Sequence, residues 1–112
     1  MKDYKKILLM DLDGVLNTYT GNFDKDFIPD IKAGAKEFLE ELSKDYEIKI
    51  FTTRNRFLTS KWLIENEISN FISDVTNVKE PAYLHIDDRC ICFNGNFGNT
   101  INDIKNFKAY WK

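Results

Sequence analysis

Ile7-Leu8-Leu9-Met10-Asp11-Leu12-Asp13-Gly14-Val15 is the stretch that decides how this chain folds, an apolar run that stops on two carboxylates one residue apart and a glycine. Apolar residues in unbroken succession, with charge before them and Asp-Gly after, read as a strand buried on both faces, here over residues 5–12. On an extended chain, side chains i and i+2 point the same way, so Asp11 and Asp13 face one cavity. Two unpaired anions there repel. A hard divalent cation such as Mg²⁺ relieves the conflict, because it takes carboxylate and carbonyl oxygens and shares its other positions with water or phosphate. The same residues also suit a plain turn, since Asp and Gly commonly end strands. The rest of the chain has to decide between turn and site.

Beyond the glycine, residues 15–29 are turn-rich, and Asn17-Thr18-Tyr19-Thr20-Gly21-Asn22 predicts a loop or small hairpin that could shield the strand's end. Asp30 is an expected N-cap for a helix running to about Lys44, with Ile31, Ala35, Phe38, Leu39 and Leu42 on one face. Residues 46–52 predict a second strand ending at Thr52-Thr53. Asn55 can cap a helix to about Asn66 that turns Leu58, Trp62 and Leu63 inward. Residues 71–75 predict a third strand, and a polar connection with Lys79 leads to a fourth over residues 82–86 that stops at Asp87-Asp88-Arg89. Residues 90–93 are expected as a fifth, edge strand. Thr100 is expected to cap a last helix carrying Ile101, Ile104, Phe107 and Trp111. Strands alternating with helices predict a parallel sheet covered on both faces, in which ligands bind at the carboxyl ends of the strands. Asp11 and Asp13, Thr52 and Thr53, and Asp87 and Asp88 all fall at such ends, so that distant parts of the sequence meet over one edge.

The chain has 112 residues, which fits one domain over 1–112, and nine Phe, five Tyr and two Trp supply bulk for its core. With 30% charged residues it belongs among globular rather than disordered chains. A net charge of -2 shows no basic surplus, so nucleic acid is not indicated by charge, although a local basic rim would still serve one. No stretch suits a membrane span, and the short first apolar run meets Asp11 at once, so neither a membrane partner nor a secretory leader is expected and a cytoplasmic location is the default. Cys90 and Cys92 match neither a zinc knuckle nor a CxxC redox motif and are expected as buried structural thiols. The oligomeric state is not set by these features.

The ordered set Asp11-x-Asp13-Gly14, Thr52, Lys79 and Asp87-Asp88 resembles the phosphatases of the haloacid dehalogenase superfamily, and the resemblance runs from Ile7 to Phe93. It implies a Rossmann-like three-layer α/β/α sandwich around a mostly parallel five-stranded sheet of order 5-4-1-2-3. It implies a Mg²⁺-dependent phosphomonoester hydrolase in which Asp11 is the nucleophile that forms an aspartyl-phosphate and Asp13 the general acid and base. Thr52, with Thr53 beside it, and Lys79 would bind the phosphate. The Asp11 carboxylate, the Asp13 backbone carbonyl and Asp87, with or without Asp88, would hold the metal. Activity is expected to vanish with EDTA. Val15 stands where many members have Thr, and Glu80 follows Lys79 where many have Pro; Glu80 either weakens the lysine's hold on phosphate or faces water.

Arg54 and Arg89 follow the Thr and Asp-Asp motifs, as candidates to grip substrate or as surface ion pairs. His85 is expected as a core or supporting histidine. Only 38 residues separate Asp13 from Thr52 and 26 separate Thr52 from Lys79, so no cap domain fits, and an uncapped site favours a large phosphorylated substrate unless an oligomer supplies a lid. Two other classes compete: a phospho-receiver domain, against which the order of motifs argues, and a noncatalytic phosphate- or metal-binding regulatory module, against which the intact Asp11 and Asp13 argue.

Overall fold

The first strand, β1 (Lys6–Asp11), forms as its apolar run dictates, with Leu8, Leu9 and Met10 all buried. The computed structural model describes residues 4–112. After β1 come α1 (Ala35–Ser43), β2 (Tyr46–Phe51), α2 (Arg56–Glu65), a single 3₁₀ turn, β3 (Ile72–Thr76), β4 (Leu84–Ile86) and α3 (Phe97–Asn106). The four strands make one all-parallel sheet of order β3-β2-β1-β4. Met10, Ile50 and Val75 are aligned across it, and with Ile48 they pack against Leu39 of α1 and Trp62 and Leu63 of α2 in one core cluster. A helix that follows a strand and precedes its parallel neighbour must cover one face, which is why α1 and α2 share this side.

Several expectations are corrected. The sheet has four strands, not five in the order 5-4-1-2-3: residues 90–93 are irregular, because Asp87 Oδ1 accepts a hydrogen bond from the Arg89 N–H and turns the chain away from the sheet edge. Cys90 and Cys92 are accordingly exposed free thiols rather than buried ones. The first helix starts at Ala35, behind Gly34 in a left-handed conformation, and not at Asp30. Residues 30–32 are extended because their backbone is committed elsewhere: the Thr18 N–H donates to Asp30 O, the Lys32 N–H to Leu16 O, and Asn17 bridges Ile31.

The last helix is capped by Asn96, whose side chain accepts from the Asn99 N–H, while the Thr100 hydroxyl bonds back to Asn96 O. Nor does α3 form a third layer. It buries no residue, and Phe97, Ile101, Ile104 and Phe107 stay exposed along it. The radius of gyration, 15.2 Å, exceeds the roughly 13 Å of a compact chain of this length. Among the described residues, no helix is long and apolar enough to cross a membrane.

Candidate metal and phosphate site

Asp11 is the last residue of β1, and the chain then closes a helical turn in which the Val15 and Leu16 N–H groups donate to Leu12 O. The turn buries Leu12 and Leu16 beneath it and leaves Asp11, at the strand end, and Asp13, within the turn, lining one cavity; the two acids share it as expected, although Asp13 lies past the extended stretch. That cavity holds about 460 Å³ and is also lined by Thr52 and Thr53 from the end of β2 and by Asp87, Asp88 and Arg89 from the end of β4. Carboxylate oxygens of Asp11, Asp87 and Asp88 lie within 4.8 Å of one another. Three acids at that separation are costly without a cation. Burial, a hydrogen bond from the Asp11 carboxyl to Asp88, and the charges of Asp87 and Asp88 together push Asp11 up to about 8, against a smaller opposing pull from the Leu12 backbone. The donors are all hard oxygens, so the set fits Mg²⁺.

Asp13 stands apart from this cluster. Arg54 Nε donates to both of its oxygens, at 3.1 and 2.8 Å, and Asn17 Nδ2 donates to Oδ1 at 3.0 Å. Its side chain is therefore no member of the three-acid group, and any metal contact from this residue falls to the backbone carbonyl. Arg54 is correspondingly not a substrate-gripping residue. It is 5% exposed, its Nη1 donates to Asp24 O and Phe27 O, and its guanidinium lies 4.5 Å from the Phe23 ring centroid. One buried cation thus ties the loop after β1 to the acid it faces.

Thr52 is buried, and its hydroxyl oxygen accepts from the Arg54 N–H, which leaves the hydroxyl hydrogen available to a ligand. Thr53 is exposed. Lys79 is exposed as well and does not line the main cavity; it lines a smaller one that also includes Asp11, Asp87, His85 and Cys90. His85 is no core residue; it is exposed on the sheet face beside Leu9. Glu80 turns away from Lys79 and pairs with Lys49 Nζ of β2 at 2.8 Å. Arg89 stays exposed in the cavity wall.

Further residues of the site carry no motif. Tyr19, Phe23 and Phe51 line the cavity, the first two from the turn-rich loop. Tyr110 and Trp111, beyond the end of α3, do not line it but return to residues beside it. The Tyr110 hydroxyl donates to Gly14 O, and the Trp111 indole N–H donates to Asp88 Oδ2 while its ring meets Tyr19 edge-on with centroids 5.7 Å apart. Gly14 suits the left-handed backbone here at φ +84°, and a Cβ, 2.1 Å from Asp88 Oδ2, would displace that carboxylate. Asn17 is fully buried and uses its amide oxygen on the Gly14 and Tyr19 N–H groups, an Asx turn that an Asn in a turn-rich stretch could have suggested.

No family model and no curated protein matches the chain. A solved structure described as the conserved protein coded by a locus of Bacteroides thetaiotaomicron is similar in fold, with a TM-score of 0.61 over 96% of this chain and 95% of that one, at 18% sequence identity. Identity that low supports a shared architecture and nothing finer, so the chain is an α/β protein with a parallel four-stranded sheet of Rossmann-like kind.

Proposed function

We propose that the chain is a Mg²⁺-dependent phosphomonoester hydrolase working through an aspartyl-phosphate on Asp11, the activity implied by its resemblance to haloacid dehalogenase phosphatases. The supporting observation is the meeting of Asp11, Asp87 and Asp88 within 4.8 Å at the carboxyl ends of two paired strands, in one cavity with Thr52 and Asp13. Asp11, Asp87 and Asp88 would hold the cation, which when bound lets Asp11 ionise and offsets the charge of the phosphoryl group. Asp11 attacks phosphorus through a carboxylate oxygen, and the ester P–O bond breaks as the leaving alkoxide takes a proton from Asp13. Asp13 then takes a proton from water, whose oxygen attacks the phosphorus of the acyl phosphate. The Asp11–phosphorus bond breaks, and inorganic phosphate leaves.

Thr52 donates its free hydroxyl hydrogen to a phosphoryl oxygen, and Lys79 supplies counter-charge from the neighbouring cavity that it lines with Asp11. Arg54 and Asn17 keep Asp13 in one orientation. Among the described residues no cap domain stands over the cavity, which favours a phosphorylated end of a larger molecule as substrate.

The test is turnover of p-nitrophenyl phosphate with Mg²⁺. Wild type is expected to release phosphate, EDTA to abolish it, and Asp11→Asn to release none; equal rates for wild type and variant eliminate the mechanism. Beryllium fluoride is expected to trap on Asp11. Self-labelling by acetyl phosphate with slow turnover would favour the receiver reading instead, and tight binding of phosphomonoesters without turnover the regulatory one.

A further inference from the structure

We propose that Trp111 is a positioning residue that makes the three-acid site selective for Mg²⁺ over Ca²⁺, by engaging one oxygen of Asp88 in a hydrogen bond that competes with two-oxygen coordination and favours binding through the other. The inference rests on the metal site of the proposed hydrolase and adds to it a residue remote in sequence. Trp111 Nε1 donates to Asp88 Oδ2 and takes one of that oxygen's two lone pairs, which makes Oδ1 the better ligand for a cation. Asp87 is restricted in the same way, its Oδ1 accepting from the Arg89 N–H at 3.0 Å. Both acids at the end of β4 therefore have one oxygen engaged by a donor and one without such a bond, which favours coordination through a single oxygen. Mg²⁺ asks for single oxygens in a tight octahedron completed by water, whereas Ca²⁺ takes more ligands and commonly both oxygens of a carboxylate.

The indole is built into this position from three sides. Gly14 lacks the Cβ that would lie 2.1 Å from Asp88 Oδ2 and 3.1 Å from Trp111 Nε1. Tyr19 packs edge-on against the indole, and a Cβ at Gly21 would already touch the ring at 3.4 Å. The neighbouring Tyr110 hydroxyl pins the segment to Gly14 O. Of the two donors that reach these acids from outside the cluster, the Arg89 N–H is backbone, which leaves Trp111 as the one that substitution can remove. Partners that orient metal ligands typically change metal affinity by about 10- to 100-fold when lost.

The experiment is calorimetric titration of the full chain with Mg²⁺ and, separately, Ca²⁺, for wild type and Trp111→Phe, which keeps an aromatic ring and removes the N–H. Wild type is expected to bind Mg²⁺ more tightly than Ca²⁺. In the variant the ratio of the two affinities is expected to shift toward Ca²⁺ by about 10-fold. A merely structural tryptophan would weaken both cations alike, so an unchanged ratio overturns the proposal. A wild-type preference for Ca²⁺ also overturns it, whether or not the variant folds. Wild type that binds neither cation overturns the metal site itself and the hydrolase reading with it.

Discussion

Removing the charge of Asp11 is expected to stabilise the metal-free protein, by an amount that grows with pH. In the folded chain the Asp11 carboxyl is pushed from 3.8 to about 8, chiefly by burial and then by Asp88 and Asp87, so between those limits the folded state keeps a proton that the unfolded state has lost. Stability rises with pH only where the unfolded state binds more protons, so here it falls, beginning near pH 4 and levelling off above pH 8. At about 1.4 kcal/mol per pH unit, the displacement sets a ceiling of about 6 kcal/mol. The carboxyl is only half-buried, so solvent screening reduces this, and about 2–3 kcal/mol is the working figure. For a chain of this size that is a difference of about 10 °C in melting temperature.

The assay is thermal unfolding of wild type and Asp11→Asn in EDTA, from about pH 4 to about pH 9, read by circular dichroism. The two are expected to melt together at the acid end and to separate toward the alkaline end, with the variant higher. Saturating Mg²⁺ is expected to raise wild type most above pH 8 and the variant far less, because the cation replaces the proton as the neutralising charge. A melting difference that does not change with pH would refute the reasoning.

Arg54→Ala leaves the Asp13 carboxylate without its buried partner and frees the loop at Asp24 and Phe27, so denaturant unfolding should show a loss of about 3 kcal/mol. Gly14→Ala forces a side chain into a left-handed backbone and onto Asp88; about 1–2 kcal/mol of strain is expected, together with loss of Mg²⁺ affinity in calorimetric titration. Lys79→Ala should lower kcat on p-nitrophenyl phosphate while changing stability by no more than about 0.5 kcal/mol, since the side chain is exposed. Cys90 and Cys92 should both react with Ellman's reagent in the native protein, Cys90 the more slowly because partial burial and then Asp87 push its thiol above the ordinary value.

What the amino-acid sequence alone determined was local. An unbroken apolar run ended by Asp-Gly set β1, an alternating run ended by Thr-Thr set β2, Asn55 capped α2 through the Leu58 N–H, and the turn that follows β1 kept Asp13 in the same cavity as Asp11. The rule that parallel strands gather their carboxyl ends at one edge then brought Thr52, Asp87 and Asp88 to that cavity from distant positions. Where an expectation failed, a backbone or side-chain partner had taken over, remote in sequence in one case and two residues away in the other. Asp30 did not start α1 because Thr18 and Leu16 already held the backbone of residues 30–32, and residues 90–93 did not extend the sheet because Asp87 turned the chain.

Only the tertiary structure decided how the acids are divided. Arg54 reads in sequence as an exposed cation after a motif, yet it is buried against Asp13 and separates that carboxylate from the cluster of Asp11, Asp87 and Asp88. Trp111 reads as one more apolar position of the last helix, but α3 ends at Asn106 and the indole returns to Asp88. Hydrogen bonds between residues far apart in the chain have no period and no motif. Their partners become neighbours only after the sheet has formed, whereas the spacing of Asp11 and Asp13 acts through the geometry of the chain itself.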